Sequence, residues 1–483
     1  MINFKAVFRI IGGLTAITGI FMLLCLPFSW SFQSGDGWPI AQSGLLAFFL
    51  GLLMYLGIRP TNLNIQKRDG YLVVGLSWIV MSLLGTLPYL ISGVIPNFYD
   101  ALFESVSGFT TTGATVLQDI ESVSKGILFW RSLTQWIGGM GIVVLTVAIF
   151  PLLGIGGVEL FVAESSGSAS EKLHPRIRET AKRLWLIYVG LTGILILCLF
   201  AAGMSFYDAV NHGLTTMATG GFSTKNASMA AFDVPIIQYI TIIFMFLAGT
   251  NFTIIYFGLK RKFENIWKSD EFRAYVFLVV FLTAGISFKV YFITDLPFEK
   301  AFRDSLFQIV SIITTTGFVS ADYTTWSTGL TMLFFLMMFL GASAGSTSGG
   351  IKLIRHLVYF RNSYLEFKRL IHPTAIVTLK LNGKAVTGKI LIHIIIFLLL
   401  YMILFVIGCI IMSILGYDLP TTIGAIATSL GNVGPGLGKV GPVDNFAWIG
   451  SGTKMLLSFY MLLGRLELFT ILVLFTPYFW KAN

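Results

Sequence analysis

Four glycine turns recur along the chain, and their backbone carbonyls could coordinate a bare cation. They are centred on Gly113, Gly220, Gly317 and Gly434, so consecutive glycines lie 107, 97 and 117 residues apart. Glycine permits extended or left-handed backbone that directs consecutive carbonyls to one point, and such carbonyls can replace the water that a cation loses on entering a membrane. Repetition at a near-constant period predicts an architecture of equivalent units.

A short helix is predicted before each turn. Asp100, Asp208 and Asp304 stand 13, 12 and 13 residues ahead of the first three glycines, and aspartate is a favoured helix N-cap. About ten residues make a helix of roughly 15 Å, half the thickness of a bilayer. A single glycine of this kind could equally serve the close packing of membrane helices. Four glycine turns in corresponding places favour pore helices whose negative carboxyl ends converge on one axis.

Membrane-length apolar stretches surround the turns. Hydrophobic residues make up 55% of the 483 residues and charged residues 12%, against about 25% charged in soluble domains. The chain is therefore predicted to be an integral membrane protein. Ten segments long enough to span about 30 Å of hydrocarbon are predicted at residues 7–28, 40–58, 71–93, 128–153, 183–203, 235–258, 274–294, 328–360, 388–415 and 453–479.

Basic residues orient these spans. With ten spans both termini share one side, and that side carries 24 of the 33 lysines and arginines, which predicts cytoplasmic termini. The four turns then face outward, where eight basic and thirteen acidic residues would concentrate cations. The net charge of +10 follows from this orientation, so nucleic-acid binding has little support. Polar stretches near 154–182 and 361–387 are too short for a nucleotide-binding domain, so any such regulator must be a separate chain.

The turns resemble the four filter segments of TrkH-type potassium uptake proteins, within the Trk/Ktr/HKT superfamily of potassium transporters. Residues 130–141, Trp-Arg-Ser-Leu-Thr-Gln-Trp-Ile-Gly-Gly-Met-Gly, are similar to that family too, and the resemblance covers nearly the whole chain. In this superfamily, glycine at the central position of all four loops accompanies potassium, so Gly113 in the first loop implies potassium. The matching segments are Thr110-Thr111-Thr112-Gly113-Ala114-Thr115, Thr219-Gly220-Gly221-Phe222-Ser223-Thr224, Thr314-Thr315-Thr316-Gly317-Phe318 and Gly431-Asn432-Val433-Gly434-Pro435-Gly436.

The resemblance also implies a fold and a set of ion ligands. The expected fold is an all-α membrane protein with four helix/pore-helix/helix units around one pore: residues 1–68 as two extra N-terminal helices, then repeats at 69–155, 156–262, 263–370 and 371–483. The fourth loop departs most from the pattern, because Asn432 and Val433 replace threonines. The expected ligands are the carbonyls of Thr111, Thr112, Gly113, Ala218, Thr219, Gly220, Thr315, Thr316, Gly317, Asn432, Val433 and Gly434.

A run of ten small residues interrupts the span at 328–360. Its four glycines, at about 1 kcal/mol each relative to alanine, favour an unwound segment that needs protein or a cavity around it. A close helix-packing face is the alternative, whereas a nucleotide-binding loop is excluded because Ile351 stands where lysine is required. The resemblance implies an intramembrane gate made of Gly341, Ala342, Ser343, Ala344, Gly345, Ser346, Thr347, Ser348, Gly349 and Gly350.

For each of two arginines in apolar surroundings, the sequence leaves two roles open. Arg465 could pair with Glu467, although residues i and i+2 of a helix do not face each other; the resemblance instead places it beneath the filter as a fixed positive charge in the gate. Arg131 could snorkel to the outer surface or brace a pore-helix carboxylate such as Glu104. The histidines and Cys25, Cys198 and Cys409 show no metal or disulfide pattern, and no catalytic constellation is present.

Two functions therefore remain open. The first is a gated potassium uptake channel in the bacterial cytoplasmic membrane, with potassium as substrate and no cofactor; the resemblance implies a homodimer controlled by a cytosolic TrkA-like nucleotide-binding ring. The second is the potassium-binding membrane subunit of an ATP-driven pump, in which another chain supplies the chemistry. The two extra N-terminal spans and the segment at 130–141 favour the first.

Overall fold

A computed structural model describes residues 2–59, 66–144, 173–375 and 377–481, and helices dominate them. Two short strands, β1 Lys380–Leu381 and β2 Lys384–Ala385, form an antiparallel hairpin. The all-α prediction is confirmed. The α-helices of the described residues are α1 Phe4–Leu23, α2 Leu26–Ser31, α3 Gly37–Gly57, α4 Lys67–Gly85, α5 Leu87–Ile91, α6 Phe98–Phe109, α7 Lys125–Val144, α8 Leu173–Ala201, α9 Phe206–Met217, α10 Pro235–Ala248, α11 Phe252–Leu259, α12 Phe263–Trp267, α13 Asp270–Ile293, α14 Phe298–Ile313, α15 Thr328–Met337, α16 Leu353–Ile371, α17 Gly388–Ile414, α18 Leu419–Gly431, α19 Ser451–Arg465, α20 Phe469–Leu472 and α21 Pro477–Trp480.

Helices occupy all ten predicted spans, but not all are continuous. Within the described residues, six segments are long and apolar enough to cross a membrane. The span predicted at 128–153 is represented by α7, and its end and the proposed repeat boundary at 155/156 lie outside the described residues. The six are Phe4–Ser31, Gly37–Gly57, Lys67–Ile91, Glu179–Ala201, Asp270–Ile293 and Gly388–Ile414.

The spans predicted at 235–258 and 453–479 each contain two helices with a sharp bend between them. The chain turns by 108° between α10 and α11, and by 110° between α19 and the apolar segment that follows it. At the first break, Asn251 accepts the amide of Thr253 at 2.8 Å and begins a new helix. At the second, Glu467 and Leu468 take left-handed backbone, with φ of 57° and 50°, which ends a right-handed helix.

The two N-terminal helices form a tight hairpin that is anchored to the first repeat. In α1 and α3, glycines let the backbones touch, since a Cβ added at Gly51 would lie 2.3 Å from the amide of Ala16. The buried carboxylate of Asp36, between the two helices, accepts the amide of Ile127 at 2.8 Å in the first turn of α7. The hairpin thus supplies an N-cap to a helix that carries site residues.

The four short helices predicted before the turns are present as α6, α9, α14 and α18. The aspartates predicted to be the N-caps of the first three do not occupy the N-cap position. Asn97 and Ser205 are the N-caps of α6 and α9, so Asp100 and Asp208 fall in the first turn, while Asp304 lies within α14. Asp208 instead accepts the Thr224 hydroxyl at 2.6 Å, and thereby ties the start of its pore helix to the chain leaving the turn.

Candidate functional site

The four turns share one unusual backbone conformation. Each has a left-handed non-glycine residue one or two positions after the end of the pore helix and a positive-φ glycine two positions later. A non-glycine residue with positive φ is strained and marks functional loops more often than ordinary ones. The pairs, with φ in parentheses, are Thr111 (51°) and Gly113 (86°), Thr219 (53°) and Gly221 (75°), Thr315 (56°) and Gly317 (76°), and Asn432 (53°) and Gly434 (100°).

This geometry corrects the predicted register of the second turn by one residue. In every turn the amide before the positive-φ glycine donates to a carbonyl five residues back, and in the second turn this amide belongs to Gly220. Gly220 is therefore equivalent to Thr112, and Gly221 to Gly113. The set Ala218, Thr219, Gly220 becomes Thr219, Gly220, Gly221. The aspartate spacing could have shown this, because Asp208 lies 13 residues before Gly221, the spacing of repeats one and three.

The four turns close into a ring. A Cβ added at Gly113 would lie 2.2 Å from the carbonyl oxygen of Gly220 in the next turn. The same contact recurs from Gly221 to Thr316 at 2.0 Å, from Gly317 to Val433 at 2.0 Å and from Gly434 to Thr112 at 2.6 Å. Each glycine thus abuts a carbonyl of its neighbour, and a side chain at any of them would displace the ring. All four glycines line one small cavity of about 80 Å³.

A buried ion pair holds the first two turns from behind. Arg131 on α7 donates from Nε to Glu104 Oε1 on α6 at 2.6 Å, and from Nη1 to the carbonyl of Ser223 at 3.0 Å. Glu104 accepts the amide of Val116 at 2.9 Å and the hydroxyl of Thr115 at 3.0 Å. Of the two alternatives for Arg131, the structure therefore supports the brace.

Neutralising Glu104 should destabilise the protein strongly. Glu104→Gln leaves the Arg131 guanidinium buried without its counter-charge, which costs about 3–5 kcal/mol, and should lower the thermal unfolding midpoint in detergent. The control is Glu179→Gln, which breaks the exposed pair of Glu179 with Arg183 and should cost under about 1 kcal/mol. Equal midpoints for the two variants would contradict a supporting role for the buried pair.

Beyond the ring, polar side chains join the chain that leaves the first turn to the chain that leaves the second. Lys225 pairs with Glu121 at 2.9 Å, and this hydrogen bond holds the pKa of the Glu121 carboxyl below its ordinary value. Asn226 donates to Asp119 at 2.9 Å and accepts the amide of Ile120 at 2.7 Å. The first donation lowers the pKa of Asp119 as well. Both acids therefore remain anionic beside the ring.

Residues 341–350 form the predicted unwound segment, which confirms the break in the span at 328–360. The segment lies directly under the turns. Thr347 donates its hydroxyl to the carbonyl of Met217, the last residue of α9, at 3.1 Å, and the amide of Gly349 donates to the Thr315 hydroxyl at 2.6 Å. Its hydrogen bonds therefore reach the second pore helix and the third turn.

The two ends of this segment are held together at a narrow neck. The amide of Gly341 donates to the carbonyl of Ile351 at 2.8 Å. The buried carboxylate of Glu271, in the first turn of α13, accepts the amides of Ala344 at 2.7 Å and Ile354 at 3.2 Å. Sequence reasoning missed Glu271, since a carboxylate in the first turn of a helix is ordinary.

Arg465 binds the segment and not Glu467. Its Nη1 donates to the carbonyl of Thr347 at 2.7 Å and its Nη2 to that of Gly138 on α7 at 3.2 Å. The side chain is 2% exposed, so the guanidinium is buried between the unwound segment and α7. Glu467 pairs instead with Arg355 at 2.5 Å, and the alternative of a pair between Arg465 and Glu467 is wrong.

A ring of turns at the ends of four short helices, with an unwound segment of small residues bonded to it, defines a helical membrane protein organised around one central site. Comparison with known proteins agrees. The chain belongs to the TrkH family of cation transport proteins, whose family model matches residues 38–481. This is a family of transporters and not of enzymes.

Relatives and a solved structure match over almost the full length. The Trk system potassium uptake protein TrkH of Escherichia coli is 40% identical, over 99% of this chain and 100% of its own. That of Vibrio parahaemolyticus is 39% identical with the same coverage. The crystal structure of the potassium transporter TrkH from Vibrio parahaemolyticus superposes with a TM-score of 0.91 at 38% identity, covering 99% of this chain and 100% of that one.

Proposed function

We propose that this chain carries potassium into the cell through a gated, channel-like pore. The observation that carries the proposal is the closed ring in which each glycine abuts a carbonyl of the next turn. Relatives at 39–40% identity are named potassium uptake proteins. Glycine at the central position of all four turns is the pattern that accompanies potassium in this superfamily.

The ion ligands are the backbone carbonyls of three residues in each turn. Among the hydrogen bonds of the described residues, the carbonyls of Thr112, Thr316 and Val433 accept none, so they are free to replace water around a cation. With the second turn corrected, the proposed set is Thr111, Thr112, Gly113, Thr219, Gly220, Gly221, Thr315, Thr316, Gly317, Asn432, Val433 and Gly434.

The gate consists of residues 341–350 and Arg465. The bonds of this segment to the second pore helix and the third turn support a position across the pathway below the filter. The Arg465 guanidinium adds a fixed positive charge in a low-dielectric setting, where it repels cations strongly. Two carbonyls fix this guanidinium, so it also ties the segment to the first repeat.

Removing the Arg465 side chain should raise cation flux. Arg465→Ala deletes both the charge and the bond to the Thr347 carbonyl, and a hydrogen bond from a charged group is worth about 1.5–3 kcal/mol, so flux through liposomes should rise about tenfold. The control is Arg465→Lys, which keeps the charge and should keep flux low. Equal flux in wild type and Arg465→Ala, at matched protein incorporation, would remove Arg465 from the gate.

A cytosolic nucleotide-binding ring of the TrkA type is the proposed regulator. Helix α16 supports this proposal because it starts two residues after the neck at Ile351 and continues to Ile371 as one rigid element. Its far end exposes Tyr364 and Leu370 together with basic side chains, which suits a docking surface. Motion there would reach the gate directly, and regulation requires contacts that differ between open and closed states.

The remaining proposals concern the orientation of the chain, the membrane in which it lies and its oligomeric state. The excess of lysine and arginine on the terminal side supports cytoplasmic termini, and the bacterial relatives support the cytoplasmic membrane. A homodimer is carried over from the family resemblance alone.

Passive rubidium flux into liposomes that contain only the purified chain tests the proposal. Flux without ATP, blocked by excess potassium but weakly by sodium, is expected; addition of a nucleotide-binding partner should change its rate. Flux that appears only with an ATP-hydrolysing partner would favour the pump subunit instead. Absence of potassium or rubidium flux in every condition would overturn the function.

A further inference from the structure

One side chain outside the turns holds the second turn at two points. Gln135 on α7 donates from Nε2 to the carbonyl of Gly220 at 2.6 Å, and its Oε1 accepts the amide of Phe222 at 3.1 Å. One partner is an acceptor and the other a donor, so the amide can take only this orientation. The two bonds span Gly221, the positive-φ glycine of this turn.

Gln135 also explains why the second turn has two glycines. A Cβ added at Gly220 would lie 2.3 Å from Gln135 Cδ and 2.4 Å from its Oε1, closer than any real contact. The amide therefore occupies the space that a side chain at position 220 would need. The equivalent positions in the other turns, Thr112, Thr316 and Val433, carry side chains.

This contact makes the carbonyl ring asymmetric. In the described part of the chain, the carbonyl of Gly220 accepts a side-chain hydrogen bond while those of Thr112, Thr316 and Val433 do not. Arg131, one turn earlier on α7, fixes the carbonyl of Ser223. The second turn is thus held by one helix at three points, the carbonyls of Gly220 and Ser223 and the amide of Phe222, and one of the four ring carbonyls is restrained from behind.

We infer that Gln135 is a positioning residue that sets ion specificity by restraining the Gly220 carbonyl. A sodium ion is smaller than potassium and is coordinated well only if the ring carbonyls move inward. A carbonyl bonded from behind resists that movement, so the restraint disfavours sodium. The inference rests on the proposed function, since it presumes that the ring is the filter.

Loss of the two Gln135 hydrogen bonds should therefore lower the selectivity for potassium over sodium. Gln135→Leu keeps the volume but removes both bonds, each worth about 1 kcal/mol, and should lower the potassium-to-sodium permeability ratio about tenfold while potassium flux persists. The control is Ser132→Ala on the same helix, whose hydroxyl bonds only the carbonyl of Leu128 at 3.2 Å. If Gln135→Leu does not fold, Gln135→Asn keeps the amide but is too short to reach both partners, and should give the same fall.

A second experiment tests the steric explanation. Gly220→Ala should reduce folded protein and selectivity in the wild-type background, because its methyl group meets the Gln135 amide. In a Gln135→Ala background the same substitution should cause no further loss, so the double-mutant cycle should show strong coupling. Equal effects in the two backgrounds would overturn the inference.

The outcomes separate the two proposals. A wild-type protein without potassium-selective flux would remove the proposed function. A selective wild type with an equally selective Gln135→Leu variant would leave that function intact and remove the role of Gln135.

Discussion

Replacing Gly113 with serine should open the filter to sodium and lithium. A Cβ at this position would lie 2.2 Å from the carbonyl oxygen of Gly220, and the φ of 86° is unfavourable for serine. The carbonyls of Thr112 and Gly220 must therefore move. Strain of about 1–3 kcal/mol in the ring corresponds to a fall of about tenfold or more in the potassium-to-sodium ratio, measured from ion flux into liposomes.

Two further variants sharpen this prediction. Gly221→Ser should act like Gly113→Ser, since the corrected register makes the two glycines equivalent. Gly285→Ser, in the membrane helix α13 where an added Cβ meets no atom within 4 Å, should leave selectivity unchanged. A folded Gly113→Ser variant with wild-type selectivity would refute the filter assignment.

Deleting residues 342–348 should leave the pore open and largely insensitive to the regulator. The ends of the deletion are already close, since a Cβ added at Gly341 would lie 2.4 Å from the carbonyl oxygen of Gly349, so the flanking helices need not move to rejoin the chain. Flux should rise at least as much as in Arg465→Ala, roughly tenfold or more, because the bond of Arg465 to Thr347 is lost as well. Selectivity should remain near normal because the four turns are untouched.

The point variant Thr347→Val is the graded control for this deletion. It removes the hydroxyl bonds to the carbonyls of Met217 and Ala248 but keeps the carbonyl that Arg465 binds, so flux should rise less than in the deletion. A folded deletion variant that still shuts fully in the presence of the regulator would show that the gate lies elsewhere.

Hydropathy predicted where helices lie in the membrane but not where the chain bends between them. Apart from Arg465, the residues on both sides of the breaks at 249–251 and 466–468 are apolar or small, and an apolar stretch carries no information about the direction of the chain. The bends depend on local features, the Asn251 cap and the left-handed backbone of Glu467 and Leu468. By contrast, ten small residues in a row predicted the break at 341–350, because four of them are glycines and four are serine or threonine, which disfavour a helix.

The candidate site was predictable in outline from four recurring turns. The errors in that prediction have simple causes. Two adjacent glycines in the second turn made the Thr-Gly pattern ambiguous, and only the aspartate spacing distinguished Gly220 from Gly221. Contacts between side chains that are far apart in the sequence could not be predicted. The rule on i and i+2 made a pair of Arg465 with Glu467 unfavourable, yet nothing in the sequence pointed to Arg355, 112 residues away.

The most direct test of the central claim is the anomalous X-ray density of rubidium in crystals of the purified protein. If the four turns form one filter, a rubidium peak should lie on the pore axis, surrounded by the carbonyl oxygens of Thr112, Gly220, Thr316 and Val433. It should disappear when sodium replaces rubidium. A ring without anomalous density, or rubidium bound only by side chains elsewhere in the protein, would contradict the account.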